Sequence, residues 1–389
     1  RLEAAIPVQC GRMQVYPDFA ASPYVEYAGN EQYLYQLFCI GAGHYDIEAI
    51  RIEDTLIENF EEVEYEVVNP GEALDLFPAA VATSVEVSGQ EAITSTWIGP
   101  FIANSAGTEA TRLAVDMVCP RGLYFAEANG SLSGLSITFS VQARTVGSHG
   151  VATGSWVTLA TETVSAATST PQRYSFSYAV AAGRYEVRLQ RTDAKNTSSN
   201  AGHELSWAGL RAYLIADNDF GDVTLLGIKI RATNNLSQQA SRKINVTCTR
   251  KLYTWTGAAW AGPVATRSIA WALYDACHTV GLPDSRIDLA GLLALDATWT
   301  ARGDSFDGRF DSTTTFWEAL TRIAYAGRCK PYMQGGIVYF RRDQAVSLPV
   351  ALYSMRNIVR GSFSMQFLTP SDDTADAVEV SYFDKDTWK

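Results

Sequence analysis

Hydrophobic and polar positions alternate along most of this chain, and the stretch Asn30–Val68 sets the pattern. An apolar, aromatic run from Tyr33 to Ile40 is broken by Gly41-Ala42-Gly43, and a second run follows at Ile47, Ile50 and Ile52. From Val63 to Val68, Val63, Tyr65 and Val67 point one way and Glu62, Glu64 and Glu66 the other. Period-2 alternation bounded by Gly or Pro-Gly predicts half-buried strands. Glycine supplies the positive φ that a tight turn needs. Asp222–Leu252 has the same character, with strands expected at Asp222–Arg231 and Ser241–Arg250 around a turn at Asn234-Asn235. The two stretches predict one β-domain, residues 1–78 and 216–255, that something has split. Within it, Pro17 and Pro23 frame an expected extended loop.

Residues 79–215 differ in composition. Charge thins, Ser, Thr, Gly, Ala and Val dominate, and short alternating runs recur at Leu113–Val118, Leu135–Ala143, Arg173–Val180, Tyr185–Gln190 and Leu205–Ala212. Short strands separated by turn-rich spacers predict a β-sandwich inserted into the split domain. Gly183–Leu189 and Ser206–Tyr213 look like the last strands of a jelly roll, an analogy of fold that carries no function. After a loop at Thr254–Gly262, flanked by Trp255 and Trp260, the period changes. Residues 256–330 read as mainly helical. Ser268 or Thr266 caps a helix ending at Gly281, a second runs from Ile287 to Leu295, and Thr315-x-x-Glu318 opens a third as a capping box. Residues 331–389 read as a β segment of a further, incomplete domain, with a hairpin about Gln334-Gly335-Gly336 and strands at Phe363–Phe367 and Ala377–Phe383. The fold class is therefore mainly β with a smaller α+β part.

GNEQYLYQLFCIGAGHYDIEAIRIEDTLI and LLGIKIRATNNLSQQASRKINVTCTRKL (Leu225–Leu252) resemble the tail-tip attachment proteins of lambda-like siphophages, also called central tail hub or host-specificity proteins. The resemblance covers most of the chain outside residues 79–215. It implies a structural virion protein, synthesised in the bacterial host cytoplasm, that forms a ring-like hub, closes the tail tube and anchors host-recognition parts. Its implied partners are two further copies of itself, in a homotrimer, and other phage tail proteins. Contact with a host surface glycan or receptor would be made by parts outside this chain, because nothing here resembles the C-terminal modules that family members add. The chain begins at Arg1 and stops just after an expected strand, so it is read as a fragment of a longer polypeptide.

The bulk numbers fit this reading. A hydrophobic content of 47% suits sizeable cores, and 19% charged residues suits globular β-domains more than disorder. A net charge of -11 disfavours clamping phosphates, which rests on Lys and Arg. No apolar run reaches membrane-spanning length. The six cysteines are scattered without a CxxC pair, as expected of reduced, buried thiols.

No catalytic, cofactor or metal site is expected. Gly41-x-Gly43 lacks the third glycine of a dinucleotide fingerprint, and no phosphate-binding GxxxxGK[ST] loop occurs. The four histidines stand apart, and Cys277-His278 are helical neighbours pointing about 100° apart, so they form no nucleophile pair. The acids Glu58–Glu66 read as a solvated strand face, and Asp304, Asp307 and Asp311 lack EF-hand spacing. The candidate subunit contacts are Tyr24, Tyr27, Tyr33 and Tyr35, which are either interface or core, with Arg242 and Arg250 from the one basic concentration. Trp97, Trp156 and Trp207 are candidate ligand-facing aromatics, either sugar platforms or core. They carry the alternative reading of a carbohydrate-binding module or glycan hydrolase.

Overall fold

The structure is a computed structural model that describes residues 5–77, 80–215, 220–232, 243–346, 349, 351–367, 377, 379, 380, 382 and 384. Arg242, the Asn234-Asn235 turn, and Val378, Ser381 and Phe383 of the expected strand Ala377–Phe383 lie outside the described residues. The chain forms two compact units, Arg1–Val8 with Val15–Cys248, and Gln9–Gln14 with Thr249–Lys389.

The first unit begins with strands β1 (Asp18–Ala28), β2 (Glu31–Ala42), β3 (Tyr45–Ile52) and β4 (Val63–Val68). The sandwich strands follow: β5 (Val81–Thr83), β6 (Trp97–Ile102), β7 (Ala110–Cys119), β8 (Leu135–Thr145), β9 (Val157–Ala166), β10 (Gln172–Gly183), β11 (Tyr185–Arg191) and β12 (Ser206–Leu214). β13 (Val223–Arg231) returns the chain, and β14 (Ile244–Trp255) leads out of the unit.

β13 lies between β2 and β4 in one antiparallel sheet of order β1-β2-β13-β4, with Leu226 opposite both Phe38 and Val67. Its burial is nearly continuous because it is central. β4 and β13 are therefore hydrogen-bonded neighbours, although the whole sandwich separates them in sequence. The sandwich has sheets of order β6-β11-β8-β9 and β10-β7-β12-β5, with antiparallel pairs throughout. Counted along the sandwich, these are strands 2-7-4-5 and 6-3-8-1, the order of an eight-stranded jelly roll. Alternation sends Ile137, Phe139, Val141 and Ala143 of β8 inward, against Leu113, Val115 and Met117 of β7 and Trp207 of β12.

Two expectations within this unit are corrected. The expected loop between Pro17 and Pro23 is instead part of strand β1, and Pro23 is tolerated because β1 is an edge strand whose register is irregular between Ala21 and Tyr24. The β4 acids are not all solvated. Glu66 accepts from the backbone N–H groups of Leu76 (2.6 Å) and Asp75 (3.3 Å) and so ties down the segment that leaves the sheet.

In the second unit, helices α1 (Ile269–Thr279), α2 (Leu289–Arg302) and α3 (Phe316–Ala326) pack about Leu273, Leu292, Trp299, Leu320 and Ile323. Ser268 caps α1 by accepting from Trp271 N–H. The Thr315–Glu318 capping box makes both its bonds. α2 runs to Arg302, past the expected Leu295, and ends where Gly303 turns left-handed. The expected loop about Trp255 and Trp260 is instead a hairpin. β14 turns at Thr256–Ala259 into β15 (Trp260–Ala265) and sets the two indoles opposite each other, 5.3 Å apart. A further hairpin joins β16 (Cys329–Gln334) to β17 (Ile337–Arg342). Phe363–Phe367 is not a strand.

Candidate functional site

The tyrosine-rich edge of the β1-β2-β13-β4 sheet lies along one face of the sandwich. Tyr27 N–H donates to Ser175 Oγ (2.9 Å), and Arg173 N–H donates to Asn30 Oδ1 (2.7 Å). The Arg211 guanidinium donates to the Val25 carbonyl, and the Tyr213 hydroxyl to Glu26. Behind this edge lies a buried ion pair. Arg211 Nη1 and Nη2 reach Asp116 Oδ2 and Oδ1 at 2.9 and 3.0 Å, and the Ser175 hydroxyl donates to the same carboxylate. Asp116 is 7% exposed and Arg211 3%. Burial works against the Arg211 charge, but Asp116 outweighs it and raises the guanidinium pKa. Gly209 stands opposite Asp116, where a Cβ would come within 2.7 Å of Asp116 Oδ2. A fork geometry of this kind fixes orientation as well as charge.

Above the pair opens a cleft of about 380 Å³ lined by Tyr27, Tyr33, Tyr35, Arg112, Tyr213 and Lys229, among others. The Arg112 guanidinium sits 3.5 Å over the Tyr213 ring, and Lys229 pairs with Glu64 at 2.9 Å. Burial, then neighbouring Glu26, pushes the Tyr35 hydroxyl up to about 12. Tyr24 and Tyr213 are raised by burial as well. Tyr24, Tyr35 and Tyr213 are thus held neutral, and the arrangement clamps sheet to sandwich.

This geometry sorts the candidate residues. Tyr24 is 5% exposed, stacked on Tyr35 at 4.7 Å and edge-on to Phe77 and Tyr213. It is core within this chain and has no surface to offer a subunit. Tyr27, Tyr33 and Tyr35 are half-buried. Arg250 is buried, with Asp275 3.7 Å away. The ligand-facing reading of Trp207 is also corrected, since the ring is fully buried against Phe101 and donates to Gly209 O at 2.8 Å. Trp97 and Trp156 are half-buried on the outer face of the other sheet. The acids considered for calcium are each set against an arginine: Asp304 with Arg302, Asp307 with Arg267, and Asp311 with Arg309. Burial pushes the Cys277 thiol up to about 12. Among the described residues no group of three or more His, Cys, Asp or Glu stands together to hold a metal ion, and no helix is long and apolar enough to cross a membrane.

Sequence reasoning did not single out Asp116, Arg211, Glu26 or Tyr213. For Asp116 and Arg211 the signal was a charge set among apolar strand positions, in LAVDMV and in GLRAYL.

Together the sheet, the clamp and the jelly roll define a mainly β protein. Residues 83–216 match the family described as Tip attachment protein J, FNIII-A domain. The chain thus carries a domain of the lambda-like phage tail-tip attachment type, and the matched family is a structural phage tail family. The match falls on the sandwich, whereas the motifs that first carried the resemblance flank it. No curated protein matches the chain. Among solved structures, the T13 IBDV viral particle is 11% identical over 63% of this chain and 74% of that one, with a TM-score of 0.22. The stem and receptor binding domain of spike protein P1 from bacteriophage PM2 is 9% identical over 59% and 98%, also with a TM-score of 0.22. Likenesses this weak carry no argument here.

Proposed function

We propose that the chain is the hub portion of a phage tail tip. In this reading residues 1–78 and 216–255 form a split β hub domain and 79–215 an inserted sandwich. Residues 256–330 form a mainly helical segment, and 331–389 part of a further hub domain. Three copies close a ring around the tail axis, bind other tail proteins and anchor the host-recognition parts of the virion. One observation carries the proposal: the tail-tip match at 83–216 sits between β4 and β13, which are partners in one sheet. The clamp supports it, because a hub that transmits force from a receptor needs its projecting domain fixed in orientation. Exposed Tyr16 and Phe19, 55% and 48% accessible beside Phe38, offer apolar surface for a neighbouring subunit. In a cyclic ring every copy buries the same patches.

Light scattering of the full-length protein tests this, with a trimer expected. A strict monomer at high concentration would count against the ring.

A further inference from the structure

The outer face of the sheet β6-β11-β8-β9 holds an array that the hub reading does not use. The Arg188 guanidinium lies 4.1 Å from the ring centroids of both Trp97 and Trp156, and that of Arg144 lies 4.3 Å from Trp156. Stacking uses the flat face of a guanidinium and leaves its in-plane N–H donors for other partners. Arg188 gives Nε and Nη2 to Gln142 Oε1 at 3.0 and 2.6 Å, and Arg144 gives Nε to Glu186. Among the described residues no acceptor meets the other guanidinium nitrogens of the two arginines, whose positive charges stand side by side. Burial, and then the charge of Arg144, lowers the pKa of Arg188. With one carboxylate against two arginines, the array carries a local positive charge on a chain of net charge -11. Further along the same outer face, four and six residues from Gln142 on β8, lies a row of hydroxyls, Thr138 with Thr163 (3.0 Å) and Ser136 with Ser165 (2.8 Å).

We infer that this face binds a glycan carrying carboxylate groups. A carboxylate fits the planar fork of the unpaired guanidinium nitrogens. The half-exposed indoles offer apolar surface to a sugar ring, and the hydroxyl row offers donors and acceptors to its OH groups. One surplus positive charge balances one carboxylate. A phosphate monoester, with about -1.5 to -2 charges, would leave negative charge uncompensated beside Glu186, whereas a phosphodiester carries one charge, as a carboxylate does, and is told apart by the titration.

The test is calorimetric titration of the full chain with an oligogalacturonate, with the methyl ester of the same oligomer, and with a polyglycerol phosphate. The free acid is expected to bind, more weakly as salt rises. The ester should bind about tenfold more weakly or worse, since it lacks the charge-assisted bonds. Arg188→Lys keeps the charge but loses the fork, and Arg144→Gln loses the charge. Each should weaken binding of the acid by about tenfold, and Trp156→Ala should do the same; Arg188→Lys should leave the thermal melt unchanged, whereas Arg144→Gln, which strands the buried Glu186 carboxylate, should lower the melt yet leave the protein native at the titration temperature. If Trp156→Ala does not fold, the two arginine variants decide. Equal binding of acid and ester, preference for the phosphate polymer, no binding of any of the three, or unchanged affinity in both arginine variants would overturn the inference.

Discussion

Removing one partner of the Asp116–Arg211 pair tests the clamp most sharply. In Asp116→Leu the Arg211 guanidinium, 3% exposed, keeps the Val25 carbonyl and Ser175 but loses its counter-charge. An uncompensated charge at such a site costs about 3–5 kcal/mol. For a domain of this size that is a fall in melting temperature of roughly 10–15 °C. Arg211→Met strands the Asp116 carboxylate with only the Ser175 hydroxyl, and a loss of the same order is expected. The double variant Asp116→Leu/Arg211→Met removes both charges together, and buried pairs replaced by apolar side chains are often neutral or stabilising. Its stability should therefore return to within about 1–2 kcal/mol of the parent, a coupling of about 3 kcal/mol or more. Urea unfolding followed by tryptophan fluorescence reads this out, because Trp207 lies in the sandwich core. Single variants that each lose less than about 1 kcal/mol, or losses that simply add in the double, would refute the reasoning.

Other consequences are open to measurement. Burial raises Cys10 and Cys277 to about 12 and Cys119 and Cys329 to about 11, so iodoacetamide at pH 8 should leave these four unmodified in the native protein and modify them all in urea, as read by mass spectrometry. Burial opposes ionisation of Asp193, yet hydrogen bonds from Arg191 and the Thr138 N–H prevail and hold its pKa below the usual value. A depressed carboxyl contributes stability above its unfolded pKa and loses it as pH falls through the folded one, so sandwich stability should decline below about pH 4, and less steeply in Asp193→Asn. Ser268→Ala removes the acceptor for Trp271 N–H and the bond to Asp296, and should cost the second unit about 1 kcal/mol in a thermal melt.

Local patterns could be read from the sequence, and long-range partnerships could not. Alternation marked β4, β8 and β13, and the Ser268 and Thr315 caps marked two helix starts, because each signal lies within a few residues. The first part of β1 was read as a loop because Pro23 and small residues hide any alternation, and only the pairing with β2 makes it a strand. The tyrosine crowd was visible, but its partners were not. Tyr213 meets Glu26 across 187 positions, and Arg211 meets Asp116 across 95. Periodicity tells which face of a strand is buried and not what covers it. For the same reason Trp207 looked like a surface candidate alongside Trp97 and Trp156, although it alone of the three points inward. The change in composition across residues 79–215 coincides with the sandwich strands β5 to β12. The family match then fell on that segment rather than on the flanking motifs.

The central claim is that this chain is built into the tip of a phage tail as a ring around its axis. The direct measurement is a cryo-electron microscopy reconstruction of the tail tip from virions encoding it. The account predicts density for three copies around the axis, each with its jelly roll clamped to the β1-β2-β13-β4 sheet through Arg211 and Asp116. A tip reconstruction with no density for this chain, or with a single copy off the axis, would contradict it.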